Sequence, residues 1–136
     1  MKKEEELLGS FEEMFKIKIR KKELFLEALT HSSFLNENRK WPYNHNERLE
    51  FLGDAVLQLC VSDFIYFEFP DYVEGVLTPL RSNLVNSLML SKIAISMSLE
   101  KYLFISKGER MSVDQFLNQL KDNGFDESKL KCYVLA

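Results

Sequence analysis

His45-Asn46-Glu47-Arg48-Leu49-Glu50-Phe51-Leu52-Gly53-Asp54-Ala55-Val56-Leu57 reads as a helix that carries Glu47, Glu50 and Asp54 at i, i+3 and i+7. At about 100° per residue the three carboxylates share a narrow sector, and Gln58 and Ser62 continue the stripe. Most of the remainder is apolar: Leu49, Phe51, Leu52, Ala55, Val56, Leu57, Leu59, Cys60 and Val61. A helix apolar over most of its circumference belongs in a core. Carboxylates in a row on such a helix repel one another and are costly to desolvate unless a cation neutralises them. The pattern points to a metal.

Asn46 is the natural N-cap of this helix, and Glu47 in the first turn gains from the helix dipole. That capping role is a complete account of Glu47 on its own, whereas Glu50 and Asp54 are not explained by it. The helix should run to about Phe67 and stop before Phe69-Pro70-Asp71. Upstream, Glu5 to Phe15 fits a short amphipathic helix with Leu7, Leu8, Phe11, Met14 and Phe15 facing inward. Lys16 to Lys22 is a basic connection, and Glu23 to Leu29 a second helix. Thr30-His31-Ser32-Ser33-Phe34 is turn-like and leads into a loop from Asn36 to Asn46. His31 is read as a hydrogen-bonded structural residue rather than a base or ligand.

Downstream, Asp71 to Val76 is a connection containing Glu74-Gly75. Thr78 then caps a helix that Pro79 opens, with Leu80, Leu84, Val85, Leu88, Leu90, Ile93, Ala94, Ile95 and Met97 as core. Arg81, Asn83 and Asn86 form its polar strip. Ser98 to Ile105 is a connection and Lys107-Gly108-Glu109-Arg110 a charged turn. Val113 to Leu120 and Glu127 to Val134 read as two further short helices. No strand alternation survives a count, so the expected fold is all-α, one domain over residues 1–136.

The bulk numbers agree with that. A chain of 136 residues, 46% hydrophobic and 29% charged, can bury a sizeable core. No apolar run reaches the roughly 20 residues that span a bilayer, so no membrane partner is expected. Met1-Lys2-Lys3-Glu4-Glu5-Glu6 has acids where a signal peptide turns apolar, so it is not read as one, and a reducing cytosol is the simplest setting for the two cysteines. Cys60 and Cys132 lack metal-ligand spacing, and Cys60 is expected to pack as a small core residue. The net charge is −3, and Trp41 to Leu99 holds seven acids against Arg48, Arg81 and Lys92. A polyanionic ligand must therefore be met by local basic patches, bridging cations or a partner.

The assembled residues resemble the ribonuclease III family. Asn46-Glu47-Arg48-Leu49-Glu50-Phe51-Leu52-Gly53-Asp54 is similar to its signature nonapeptide. Glu27-Ala28-Leu29-Thr30-His31-Ser32-Ser33 precedes it in the family order. Phe69-Pro70-Asp71, Glu74-Gly75, Leu77-Thr78-Pro79-Leu80-Arg81-Ser82-Asn83-Leu84-Val85-Asn86 and Lys107-Gly108-Glu109 follow. The resemblance is strongest over residues 24–110.

The resemblance implies an all-helical endonuclease domain that forms a homodimer. It hydrolyses phosphodiester bonds of double-stranded RNA with Mg²⁺, Mn²⁺ substituting, in RNA processing such as rRNA maturation. By residue, Glu50 and Asp54 match catalytic metal ligands. Glu47 and Glu74 match acids that support substrate or metal, and Arg81 and Asn83 lie on the helix that borders the cleft. Phe51 matches an aromatic that inserts into the partner subunit. The chemistry suits these residues, because Mg²⁺ takes oxygen ligands and both activates water and neutralises phosphate charge.

After Arg110 the chain departs from the family. There a later helix supplies Asp-x-x-Glu; here Asp114-Gln115-Phe116-Leu117 has the aspartate, and leucine stands in place of the glutamate. Asp114 is the candidate third metal ligand, and no double-stranded RNA-binding domain is expected to follow. The alternative is a catalytically impaired module that keeps dimerisation and RNA binding. A helical interaction domain whose acids are surface caps is the reading from another class.

Overall fold

The computed structural model describes residues 2–123. Among the described residues it contains α1 (Lys2–Phe15), α2 (Lys22–Ala28), α3 (Ser32–Glu37), α4 (Glu47–Glu68), α5 (Glu74–Leu84), α6 (Ser87–Ser96) and α7 (Lys107–Asp122), with a 3-10 turn at Leu99–Tyr102. No strand forms among them; an isolated bridge pairs Thr30 with Phe104. The fold is all-α. The chain divides into two compact units, one of Met1–Arg48 with Glu100–Asn123 and one containing Leu49–Leu99.

In the first unit α1 buries Leu8 and Phe11, as its amphipathic spacing predicts, whereas Met14, expected to face inward, is exposed. The Phe11 ring meets Phe25 and Tyr102 edge-on, each at 5.1 Å, and Ile19, Leu26 and Leu29 complete this core. Thr30 is fully buried. Its hydroxyl donates to the Leu26 carbonyl at 2.6 Å and accepts from the Trp41 indole N–H at 3.1 Å. That pair of bonds holds the 36–46 loop against the end of α2. Thr30→Val keeps the volume and strands a half-buried indole N–H, so a loss of about 1–3 kcal/mol is expected. Urea unfolding followed by Trp41 fluorescence checks it, Trp41 being the one tryptophan of the chain.

Two expectations in this unit need correction. Ser32 to Glu37 is a short helix rather than a turn, because the exposed His31 caps it: its Nδ1 accepts from Ser33 N at 3.2 Å. Histidine is not among the usual capping residues, which hides the signal. Lys107-Gly108-Glu109-Arg110 is likewise the first turn of α7. Ser106 caps it, its Oγ accepting from Glu109 N at 3.2 Å. Ser-x-x-Glu is a capping signature, but Gly108 inside it argues for a turn. Arg110 then donates from Nη1 and Nη2 to the Glu100 and Leu103 carbonyls at 2.6 and 2.7 Å. The expected helix at Glu127 to Val134 lies outside the described residues.

In the second unit α4 ends at Glu68, before Phe69-Pro70-Asp71 as expected, and only Ile65 of α4 is buried. Cys60, expected in the core, is exposed. The helix expected from Thr78 onward begins four residues earlier and breaks in two. Glu74 opens α5, so Thr78 and Pro79 are interior. Pro79, sixth in this eleven-residue helix, has no N–H to give to the ladder. At the break Asn86 leaves the helical conformation, and its side chain accepts from Met89 N at 2.9 Å. An asparagine that caps the next helix ends the previous one. α5 and α6 pack together, and Ile95 and Ser96 are buried.

Candidate metal and nucleic-acid site

Glu50 and Asp54 lie four residues apart on α4, about 6 Å along its axis, and both are exposed. The expectation of a desolvated acidic row is therefore corrected. In high dielectric, neighbouring carboxylates repel weakly, so no cation is needed to hold them there in the folded chain. What calls for a cation is the approach of a polyanion to this face.

Among the described residues, no group of three or more His, Cys, Asp or Glu gathers into a metal cage. A pair of carboxylates one turn apart fits a Mg²⁺ ion that keeps several waters and takes further ligands from phosphate. It does not fit an ion that demands an all-protein cage. Asp114 stands exposed on α7, in the other compact unit.

The remaining acids are held locally. Glu47 begins α4, with a carboxylate oxygen 3.8 Å from His45 Nδ1. Asn46 does more than precede a helix: its backbone N–H donates to the Thr30 carbonyl at 2.8 Å and its side-chain amide to the Ala28 carbonyl at 3.3 Å. These bonds pin the entry of α4 to the end of α2. Glu74 opens α5 and accepts the Thr78 hydroxyl at 2.9 Å, which fixes one carboxylate oxygen at a helix N-terminus.

Within the second unit, Arg81 reaches across from α5 to α4 and donates from Nη1 to Ser62 Oγ at 3.0 Å. Asn83 is exposed near the end of α5, its carbonyl accepting from Asn86 Nδ2 at 3.1 Å. Ser62 was visible in the sequence only as a continuation of the acidic stripe. Its engagement with Arg81 needed the α4–α5 packing.

The apolar side of α4 is also open. Phe51, Leu52, Val56 and Leu59 are 84%, 60%, 51% and 69% exposed. They fall within a sector of about 140°. An apolar helix face this exposed is the type of surface through which proteins associate or bind ligands.

The sequence model of the Ribonuclease-III-like family matches residues 21–123. Ribonuclease 3 of Bacillus licheniformis is 43% identical over 110 residues, which is 81% of this chain and 44% of that protein. Ribonuclease 3 of Syntrophobacter fumaroxidans is 49% identical over 89 residues, 65% of this chain and 37% of that protein. The chain thus spans less than half the length of the curated relatives it matches. The solved nuclease domain of ribonuclease III from Campylobacter jejuni superposes with a TM-score of 0.62 at 37% identity, covering 94% of this chain and 74% of that one. A second structure of that nuclease domain, described for flexibility in a region involved in dimer formation, gives a TM-score of 0.61 at 37% identity, covering 86% and 71%. The sequence match, which takes in the α4 acids and runs through α7, joins a shared helical architecture: the chain belongs to the ribonuclease-III-like family.

Proposed function

We propose that this chain is a ribonuclease III-type endonuclease domain that hydrolyses phosphodiester bonds of double-stranded RNA with Mg²⁺, as a cytoplasmic homodimer serving RNA processing such as rRNA maturation. The observation that carries the reading is the exposed Glu50–Asp54 pair on α4, in a chain whose relatives are named ribonuclease 3. Glu50 and Asp54 would hold the metal. When bound, Mg²⁺ supplies a more acidic water and neutralises charge on the phosphate.

The chain's own groups do the rest. Glu47 and Glu74 support the acidic face, and Glu74 is held in place by Thr78. Arg81 and Asn83 present cationic and amide donors to the backbone of the substrate. Phe51 and the apolar face of α4 form the contact between copies. The dimer-forming nuclease domain of the Campylobacter relative supports that assignment.

One observation favours a second reading. On α7 the residue three after Asp114 is Leu117, half-buried and unable to bind a cation. A module that binds duplex RNA and cuts it poorly follows from that substitution.

Metal binding is checked by melting. A ligand that binds only the folded state stabilises it by roughly 2.7 kcal/mol at a hundredfold excess over its Kd. Mg²⁺ is therefore expected to raise the Tm by several degrees, and Asp54→Ala to remove the increment. A Tm indifferent to Mg²⁺ in the native chain would leave the acids as surface caps and favour a purely structural helical domain.

A further inference from the structure

Arg81 is half-buried, and among the described residues no carboxylate pairs with it. What holds it is a neutral hydroxyl, Ser62 Oγ, at 3.0 Å. The hydroxyl is itself oriented, because its proton goes to the Gln58 carbonyl one turn back on α4 at 2.7 Å. With the O–H spent on its own helix, Ser62 has only lone pairs left to offer, and these face the guanidinium. Arg81 thus spends one of its five N–H donors on Ser62 and keeps its full charge. A cation held in place without being neutralised suits an incoming anion, and the planar fork of a guanidinium matches a phosphate.

We propose that Ser62 is a positioning residue that aims Arg81 at an RNA phosphate other than the one the carboxylates serve. The proposal rests on the endonuclease reading above and adds a residue to it. Ser62 lies two turns beyond Asp54, about 12 Å along α4, so the phosphate taken by Arg81 lies away from the bond to be cut. Losing this contact weakens substrate binding more than turnover. A hydroxyl that merely tied α4 to α5 would instead move the melting temperature and leave the salt dependence of binding alone.

The test measures binding of a long RNA duplex over a salt series by the native chain, Ser62→Ala, Ser62→Thr, Arg81→Ala and the double variant Ser62→Ala/Arg81→Ala, with melting recorded for each. Ser62→Ala is expected to weaken binding about tenfold. It should also flatten the slope of log Kd against log salt by about 0.9, the signature of one lost phosphate contact. Ser62→Thr keeps the hydroxyl and should restore both. In the Arg81→Ala background, Ser62→Ala should add nothing, because its effect runs through the guanidinium. If the two substitutions add, or Ser62→Ala leaves the slope unchanged, Ser62 does not position Arg81. If Arg81→Ala binds like the native chain, the proposal falls while the endonuclease reading stands. A native chain that neither binds nor cuts the duplex removes both.

Discussion

Glu50→Gln is expected to reduce cleavage of a long RNA duplex in Mg²⁺ by about a hundredfold or more, since small errors in placing a catalytic group carry losses of that size. Glutamine keeps the shape of the side chain and removes the charge that binds the cation. Because Glu50 is exposed on α4, the exchange should change stability by less than about 0.5 kcal/mol. The loss would then be one of chemistry rather than of folding, and Asp54→Asn should behave alike. Gel analysis of duplex fragments over time, beside thermal melts of both variants, checks this. A native chain that binds the duplex and leaves it intact would decide for the non-cutting module, and Leu117 would be the first place to look. Leu117→Glu would then be expected to raise cutting, since it returns an acid three residues after Asp114.

The exposure of the acids changes what the charge pattern means. Read from the sequence, a row of carboxylates on an apolar helix is a folding problem that a cation solves. In the structure the same row is a solvated face, and the difficulty arises only when a polyanion approaches it. The net charge of −3 and the scarcity of cations between Trp41 and Leu99 make each remaining cation on that face more valuable. Arg81 is one of three basic residues in that stretch, and among the described residues no carboxylate pairs with it.

Much of the fold was legible because its signals are local. The amphipathic spacing of α1, the acidic helix and its stop before Phe69-Pro70 need only neighbours in the chain. The errors came where one residue type serves two purposes. Thr78-Pro79 has the chemistry of a helix start and sits inside α5; Asn86 looks like part of a polar strip and instead caps α6. At the site, the spacing of Glu50 and Asp54 was readable from helical periodicity alone. The Ser62–Arg81 bond joins residues on two helices, and no periodicity encodes it. Burial of α4 misled for another reason. Hydrophobic periodicity shows that a face will be covered, but not whether its cover comes from the same chain.

That last point sets the second large effect. Phe51 is 84% exposed in the single chain, so its side chain contributes little to the folding of that chain. If α4 meets a second copy, the contact is self-complementary, and the same aromatic is lost twice in a variant. Truncating an aromatic at the centre of an interface costs about 2 kcal/mol or more, which is roughly thirtyfold in Kd. Phe51→Asp should exceed that, because it places a charge where water is excluded. Sedimentation equilibrium over a range of concentrations is expected to show the native chain self-associating and Phe51→Asp remaining monomeric, with far-ultraviolet circular dichroism unchanged. Duplex cleavage should fall together with association if each copy contributes half of a shared cleft. Equal association of the native chain and Phe51→Asp would remove Phe51 from the interface. A native chain monomeric at every concentration would remove the homodimer itself.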